Sequence, residues 1–242
     1  MTNRQKLLLK KIAKQAVKLD WEKAFDGKSY GNKHLFRVNK IAKYLQRKEG
    51  GNEFVVLVGA WVHDVALAYG NDSNPRIVRK QTKKFLESFK NLTTKKMDRI
   101  IECATNHEVG GGNLSLEAQI VYDADVVDKS GMLGVIRHIW KMTNLLENRI
   151  LDKKNDVVVL EKHLKNREQK LFTKTAKSVV RKLNKGRDIF FLDKMFAREF
   201  VLTTSKMSNK GIISDRISMK MMGYKHQSIN LLNEQLSLKY LE

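Results

Sequence analysis

The chain has 242 residues, of which 42% are apolar, 8% aromatic and 30% charged, with one proline, 14 glycines and one cysteine. That content is enough for a core and excludes wholesale disorder, and so little proline argues for long helices over a many-turned β-sandwich or a collagen-like fibre. The formal net charge is +21, and Cys103 alone permits neither an internal disulfide nor a cysteine-based zinc cluster.

The charge is unevenly placed. Residues 1–50 carry 14 basic and 4 acidic groups, residues 51–150 carry 13 and 12, and residues 151–242 carry 20 and 10. Basic flanks of this kind attract polyanions and anionic metabolites without specifying nucleic acid. The opening MTNRQKLLLKK lacks the apolar stretch and cleavage region of a signal peptide. The best apolar run, Phe54 to Val62, is too short to span a bilayer. A cytoplasmic protein with no membrane partner is expected.

In chain order, the periodicity predicts a lysine-studded first helix over roughly 3–25. Turn chemistry follows at Asp26 to Asn32, and a second helix begins at Lys33 or His34 with Val38, Ile41, Ala42 and Leu45 on its apolar face. The third helix, about 53–68, is apolar almost all round and therefore central, with Asn52 as its N-cap. Gly70 to Asn74 reads as a loop, and Pro75 opens a fourth helix. Thr93 or Thr94 caps a fifth, which places Met97, Ile100, Ile101, Ala104 and His107 on one face. After the Gly110 to Asn113 loop, Ser115 caps a sixth helix with Leu116, Ile120, Val121, Ala124 and Val127 on its apolar side. Gly131 and Gly134 interrupt the pattern before a helix carrying Ile136, Trp140 and Leu145. From about Val157 the chain reads as long basic amphipathic helices, with breaks at Lys185-Gly186 and Asn209 to Gly211. The apolar tail after Gly223 packs on the core or on another subunit. Residues 1–150 are expected to form a metal-binding helical core and residues 151–242 a basic helical extension packed on it.

Polar residues on apolar helices are the informative anomaly. His63-Asp64 closes the most hydrophobic helix, His34 opens the second and His107 continues the apolar face of the fifth. On the sixth, Asp125 and Asp128 are three apart and share a face, while Asp123 points away from both. Four helices can thus deliver two or three imidazoles and two or three carboxylates to one centre. A mixed N/O set of this kind suits Mn, Mg, Fe, Co, Ni or Zn.

The ordered set also carries a family likeness. His34 in HLFRV, His63 and Asp64 in GAWVHDV, and Asp125 in VYDADVVDKSGMLGVIR resemble the signature of the HD-domain superfamily of metal-dependent phosphohydrolases. The resemblance is nearest to small HD hydrolases whose last motif reads like DADRLDAIGAIGIAR, and KNREQKLFTKTAK is similar to the C-terminal region of that subgroup. It covers about residues 20–205. It implies an all-α HD-domain helical bundle that holds one divalent metal ion through His34, His63, Asp64 and Asp125, with Asp64 also orienting or deprotonating the attacking water. It further implies His107 as a group on substrate phosphate; Arg37, one turn beyond His34, is a second catalytic candidate for a phosphate oxygen, and Asp128 and Lys129 are candidate substrate contacts, with a ligand or Lys129 itself as the other partners open to Asp128. Two departures stand out. Val126 replaces the family's arginine, and VALAYGND lacks the Glu-Asp pair associated with guanosine tetraphosphate hydrolysis. The implied function is metal-dependent hydrolysis of a nucleotide or related phosphorylated metabolite. The alternatives are a nucleic-acid-binding protein or HD-type nuclease, motivated by the basic flanks, and a catalytically silent metal-stabilised signalling module. A homo-oligomer through the C-terminal helices stays open.

Overall fold

A computed structural model of the chain describes residues 1–70, 74–90, 92–106, 113–168 and 170–241. All regular structure among the described residues is helical, as the all-α expectation required. Two compact units are present: Met1–Asp125 with Leu171–Ala176, and Val126–Lys170 with Lys177–Glu242.

The first unit holds α1 (Asn3–Lys23), α2 (His34–Glu49), α3 (Glu53–Val62), a 3-10 helix (Val65–Tyr69), α4 (Pro75–Glu87) and α5 (Thr94–Asn106). It also holds α6 (Leu116–Asp128) as far as Asp125. The starts of α3 to α6 are fixed by side-chain caps, each accepting a backbone N–H that the helix itself leaves unpaired. Asn52 Oδ1 accepts from Val55 at 3.1 Å, Asn74 Oδ1 from Arg76 at 3.0 Å, Thr93 Oγ1 from Lys96 at 3.4 Å and Ser115 Oγ from Ala118 at 3.3 Å. Pro75 takes the first helical position of α4.

Helix α3 is the centre of this unit. It packs on α1, α2 and α5, and only Glu53 and Trp61 escape burial along it. Gly59 lets the neighbouring helices come this close. A Cβ there would lie 2.7 Å from Cys103 Cβ on α5 and 3.2 Å from Val121 Cγ2 on α6.

The continuous third helix expected over 53–68 is corrected at its end. The α-helix stops at Val62, His63 and Asp64 form a turn, and a tighter 3-10 helix follows. The cause is local. His63 Nδ1–H donates to the Ala60 carbonyl at 2.8 Å, the same carbonyl that a continuing α-helix would offer to the Asp64 N–H.

The second unit is organised around α7 (Gly131–Lys141), buried except at Arg137 and Lys141. Around it pack α8 (Lys154–Glu168), α10 (Lys194–Asn209), α11 (Ser214–Met221) and α12 (Leu232–Ser237). Between α8 and α10 runs α9 (Lys174–Leu192), and α9 to α11 form the lysine-rich C-terminal helical stretch. The boundary expected near residue 150 falls inside this unit, because α7 is apolar on nearly every side and gathers the helices that follow it. Charge changes at 150; compactness does not.

A break at Lys185-Gly186 is also corrected, since Gly186 lies within α9. A Cβ there would sit 2.9 Å from the Ser228 carbonyl, so the glycine serves close approach rather than a turn. The break after Asn209 is present, closed by Gly211 at φ +77°. The tail packs on its own chain: Gln235 Nε2 donates to the Ser130 carbonyl at 3.0 Å, and its Oε1 accepts from the Leu133 N–H at 3.2 Å.

Candidate metal centre

His34 is the first residue of α2. Its position is set by the preceding loop, where Asn32 Oδ1 accepts the His34 N–H at 3.1 Å and the Asn32 carbonyl accepts Trp21 Nε1–H at 2.9 Å. His63 and Asp64 come from the turn after α3, and Asp125 from the last turn of α6. Consecutive residues of an α-helix point about 100° apart. In the turn after Val62 the two side chains nevertheless meet, His63 Nε2 lying 3.3 Å from Asp64 Oδ2.

All four side chains are buried, His63 and Asp125 completely so. His34, His63 and Asp125 each offer one donor atom within 4.8 Å of the others. The two Nε2 atoms are 3.3 Å apart. Asp125 Oδ1 lies 3.1 Å from His34 Nε2 and 3.6 Å from His63 Nε2. Asp64 Oδ2 lies 3.4 Å from His34 Nε2 and 3.3 Å from His63 Nε2.

These separations fit a divalent cation. Donors held about 2.1 Å from one ion stand about 3.0 Å apart at right angles and about 3.4 Å apart at the tetrahedral angle. His63 Nδ1–H is committed to the Ala60 carbonyl, which leaves the Nε2 lone pair aimed at the centre, as ligand imidazoles are usually held. Two buried carboxylates beside two neutral imidazoles also leave two negative charges, which one divalent ion neutralises.

Without such an ion a proton takes part of that role. Burial disfavours the His63 imidazolium, but Asp64 and Asp125 outweigh it and carry its pKa from 6.5 to about 10.

The remaining expected residues fall out differently. Arg37 is buried on α2, one turn after His34. His107 lies outside the described residues. Asp128 is buried at the end of α6 with Oδ2 3.9 Å from Arg137 Nη1, a neighbour that the sequence reading did not single out, and Lys129 follows in the turn after α6. Asp123 is no surface group. It is fully buried and accepts from the Phe172 N–H at 3.0 Å, the Thr173 N–H at 2.7 Å and Thr173 Oγ1 at 2.7 Å. It therefore anchors α6 two residues before the ligand Asp125. Cys103 is buried, and burial together with Glu102 and Glu117 pushes its thiol up, well away from a thiolate ligand.

An all-α scaffold that converges two imidazoles and two carboxylates on one buried point defines a metal-binding centre, and the comparisons give its class. A family model described as the HD domain matches residues 32–130, which include His34, His63, Asp64 and Asp125. Residues 32–130 match the HD domain, and the His34/His63/Asp125 cluster within them is a metal-dependent phosphohydrolase-type active site. A structural-genomics structure from Lactobacillus plantarum matches at 24% identity and a TM-score of 0.62, over 83% of this chain and 98% of that one. Bacillus subtilis YpgQ, solved in complex with ADP, matches at 19% identity and a TM-score of 0.55, over 84% and 95%. Both share the fold. No curated protein matches the chain. Among the described residues no helix is long and apolar enough to cross a membrane.

Proposed function

We propose that this protein hydrolyses a phosphate ester or pyrophosphate bond of a nucleotide or related phosphorylated metabolite. The observation that carries the reading is the convergence of His34, His63, Asp64 and Asp125 within 3.1 to 3.6 Å across the five separations above. A divalent cation held there supplies Lewis acidity and lowers the pKa of water.

The chain's own residues do the rest. His34, His63 and Asp125 fix the cation's position, and the Ala60 carbonyl fixes the His63 ring. Asp64 holds the attacking water by a carboxylate oxygen and takes its proton. Arg37 neutralises charge on the phosphoryl oxygens, and His107, Asp128 and Lys129 contact the substrate. The nucleotide class draws support from the net charge of +21 and from the ADP in the YpgQ structure. The DAD-type subgroup and a cytoplasmic location belong to the same proposal.

The test is a metal-by-substrate matrix on chelator-stripped, reconstituted protein. It spans nucleoside mono- and triphosphates, cyclic nucleotides, alarmones and short oligonucleotides, with Asp64→Asn beside each. Turnover should appear with cation in the wild type and fall by at least about 100-fold in the variant. Full activity in Asp64→Asn with metal content retained sinks the assignment of Asp64.

A further inference from the structure

A groove of about 590 Å³ opens on the first unit along α1, and His34, His63, Asp64 and Asp125 are not among its lining residues. Its walls carry four aromatic rings, Trp21, Tyr30, Phe36 and Trp61. They form a chain, with ring centroids 5.6 Å apart for Trp21 and Tyr30, 6.3 Å for Trp21 and Phe36, and 5.3 Å for Phe36 and Trp61. Tyr30 is 69% exposed and Phe36 39%. Trp21 also holds the loop before His34, but that bond does not require the exposed rings of Tyr30 and Phe36 beside it.

The rim supplies a second observation. Lys10, Lys14 and Lys18 line the groove from α1, and all three are exposed. Spaced four residues apart, they rise one above another at intervals of about 6 Å on one face. Glu22 ends the row and lies 3.9 Å from Lys18. The groove therefore pairs a cationic ladder with a nearly continuous aromatic wall.

We infer that this groove binds single-stranded nucleic acid, a few nucleotides long, with bases stacked on the aromatic wall and phosphates on the lysine row. Aromatic platforms beside a basic track are how such strands are held without base-specific contacts. A second copy of the chain is a poor occupant, because residues 1–50 carry 14 basic against 4 acidic groups and would repel their like. A bilayer is a poor occupant as well, since the rings line a concavity rather than a projecting face. Lys10 to Tyr30 also precede residue 32, where the HD match begins, so most of the groove lies outside the matched residues.

The experiment is fluorescence anisotropy with a labelled eight-nucleotide oligo(dT), against a duplex of equal length and against phosphatidylserine-containing vesicles. The titrations are run at several salt concentrations on the full chain. Single strands should bind more tightly than duplex, with log K falling against log salt at a slope of about −2 for three lysine contacts. Tyr30→Ala should weaken binding by about 5- to 100-fold, and Lys10→Glu with Lys14→Glu by about 10-fold or more, while melting temperatures stay unchanged at these exposed positions. Trp fluorescence should be quenched on binding. Single-strand binding that is untouched by either set of changes, equal affinity for duplex, or binding to vesicles but not to oligonucleotide each overturns the inference.

Discussion

The raised pKa of His63 makes metal binding a proton-releasing reaction. The imidazole needs its Nε2 lone pair to ligate, yet Asp64 and Asp125 hold a proton on the ring with a pKa of about 10. At pH 7 the cation must displace that proton, which weakens its apparent affinity about 1,000-fold, or about 4 kcal/mol at 1.36 kcal/mol per pH unit. Between pH 6 and 8 the apparent association constant should therefore rise about 100-fold. Isothermal titration of Mn²⁺ or Zn²⁺ into chelator-stripped protein, in buffers of matched pH but different ionisation enthalpy, should count about one proton released per ion. Asp64→Asn removes the largest influence that raises the His63 pKa, so proton release and pH slope should both shrink in that variant. The same shift has a stability consequence. A folded pKa above the unfolded one contributes stability that is complete below pH 6.5 and is lost as pH rises towards 10. The metal-free protein should lose melting temperature across that window, and the cation-saturated protein should not. An affinity that is flat from pH 6 to 8 with no proton released would refute the reasoning.

Three further outcomes follow from packing and buried hydrogen bonds. Gly59→Ala places a methyl group 2.7 Å from Cys103 Cβ and should cost about 1–3 kcal/mol in denaturant unfolding; an unchanged midpoint would mean that α3 and α5 part freely. Asp123→Ala strands the Phe172 and Thr173 N–H groups and the Thr173 hydroxyl and should destabilise by about 2–4 kcal/mol. Asp123→Leu should do no better, which distinguishes lost acceptors from lost volume. Burial would raise the Glu117 carboxyl, but the Asn52 N–H and the Arg99 guanidinium hold it below its usual 4.5. Its contribution is therefore complete above about pH 4.5 and is lost on acidification. Glu117→Gln should flatten the acid limb of a melting-temperature profile and leave the neutral limb parallel to wild type.

Much of this architecture was legible in the sequence, because the signals are local. Asn52, Thr93 and Ser115 announce helix starts by the N–H groups they accept, and α3 announces its central place by lacking a polar face. The His34, His63 and Asp125 cluster was legible as part of an ordered set carrying a family likeness. What periodicity could not show is anything decided by a partner far along the chain. Gly186 reads as a helix break until the Ser228 carbonyl is found beside it. Asp123 reads only as pointing away from Asp125 and Asp128 until Phe172 and Thr173, some 50 residues later, bring it three donors. The apolar character of α7 was visible, but not that helices beyond residue 150 gather on it.

The His63-Asp64 turn joins these two kinds of information. A hydrophobic stretch running into His-Asp reads as one helix because nothing near its end says stop; no proline or glycine lies between Ala60 and Tyr69. The stop is made by the imidazole itself, whose Nδ1–H takes the Ala60 carbonyl. That one hydrogen bond does three things. It occupies the carbonyl that a continuing helix would use, it commits Nδ1 as the donor, and it thereby leaves Nε2 facing the centre. Fold and site are set by the same atom pair, so the ligand His63 is also a structural cap. Replacing it with Gln, which offers a donor but no matching ring, should therefore lose metal affinity and also lengthen α3 towards Asp64. Amide exchange across residues 63–66 reads the second effect independently of the first: a pattern in His63→Gln identical to wild type would refute it.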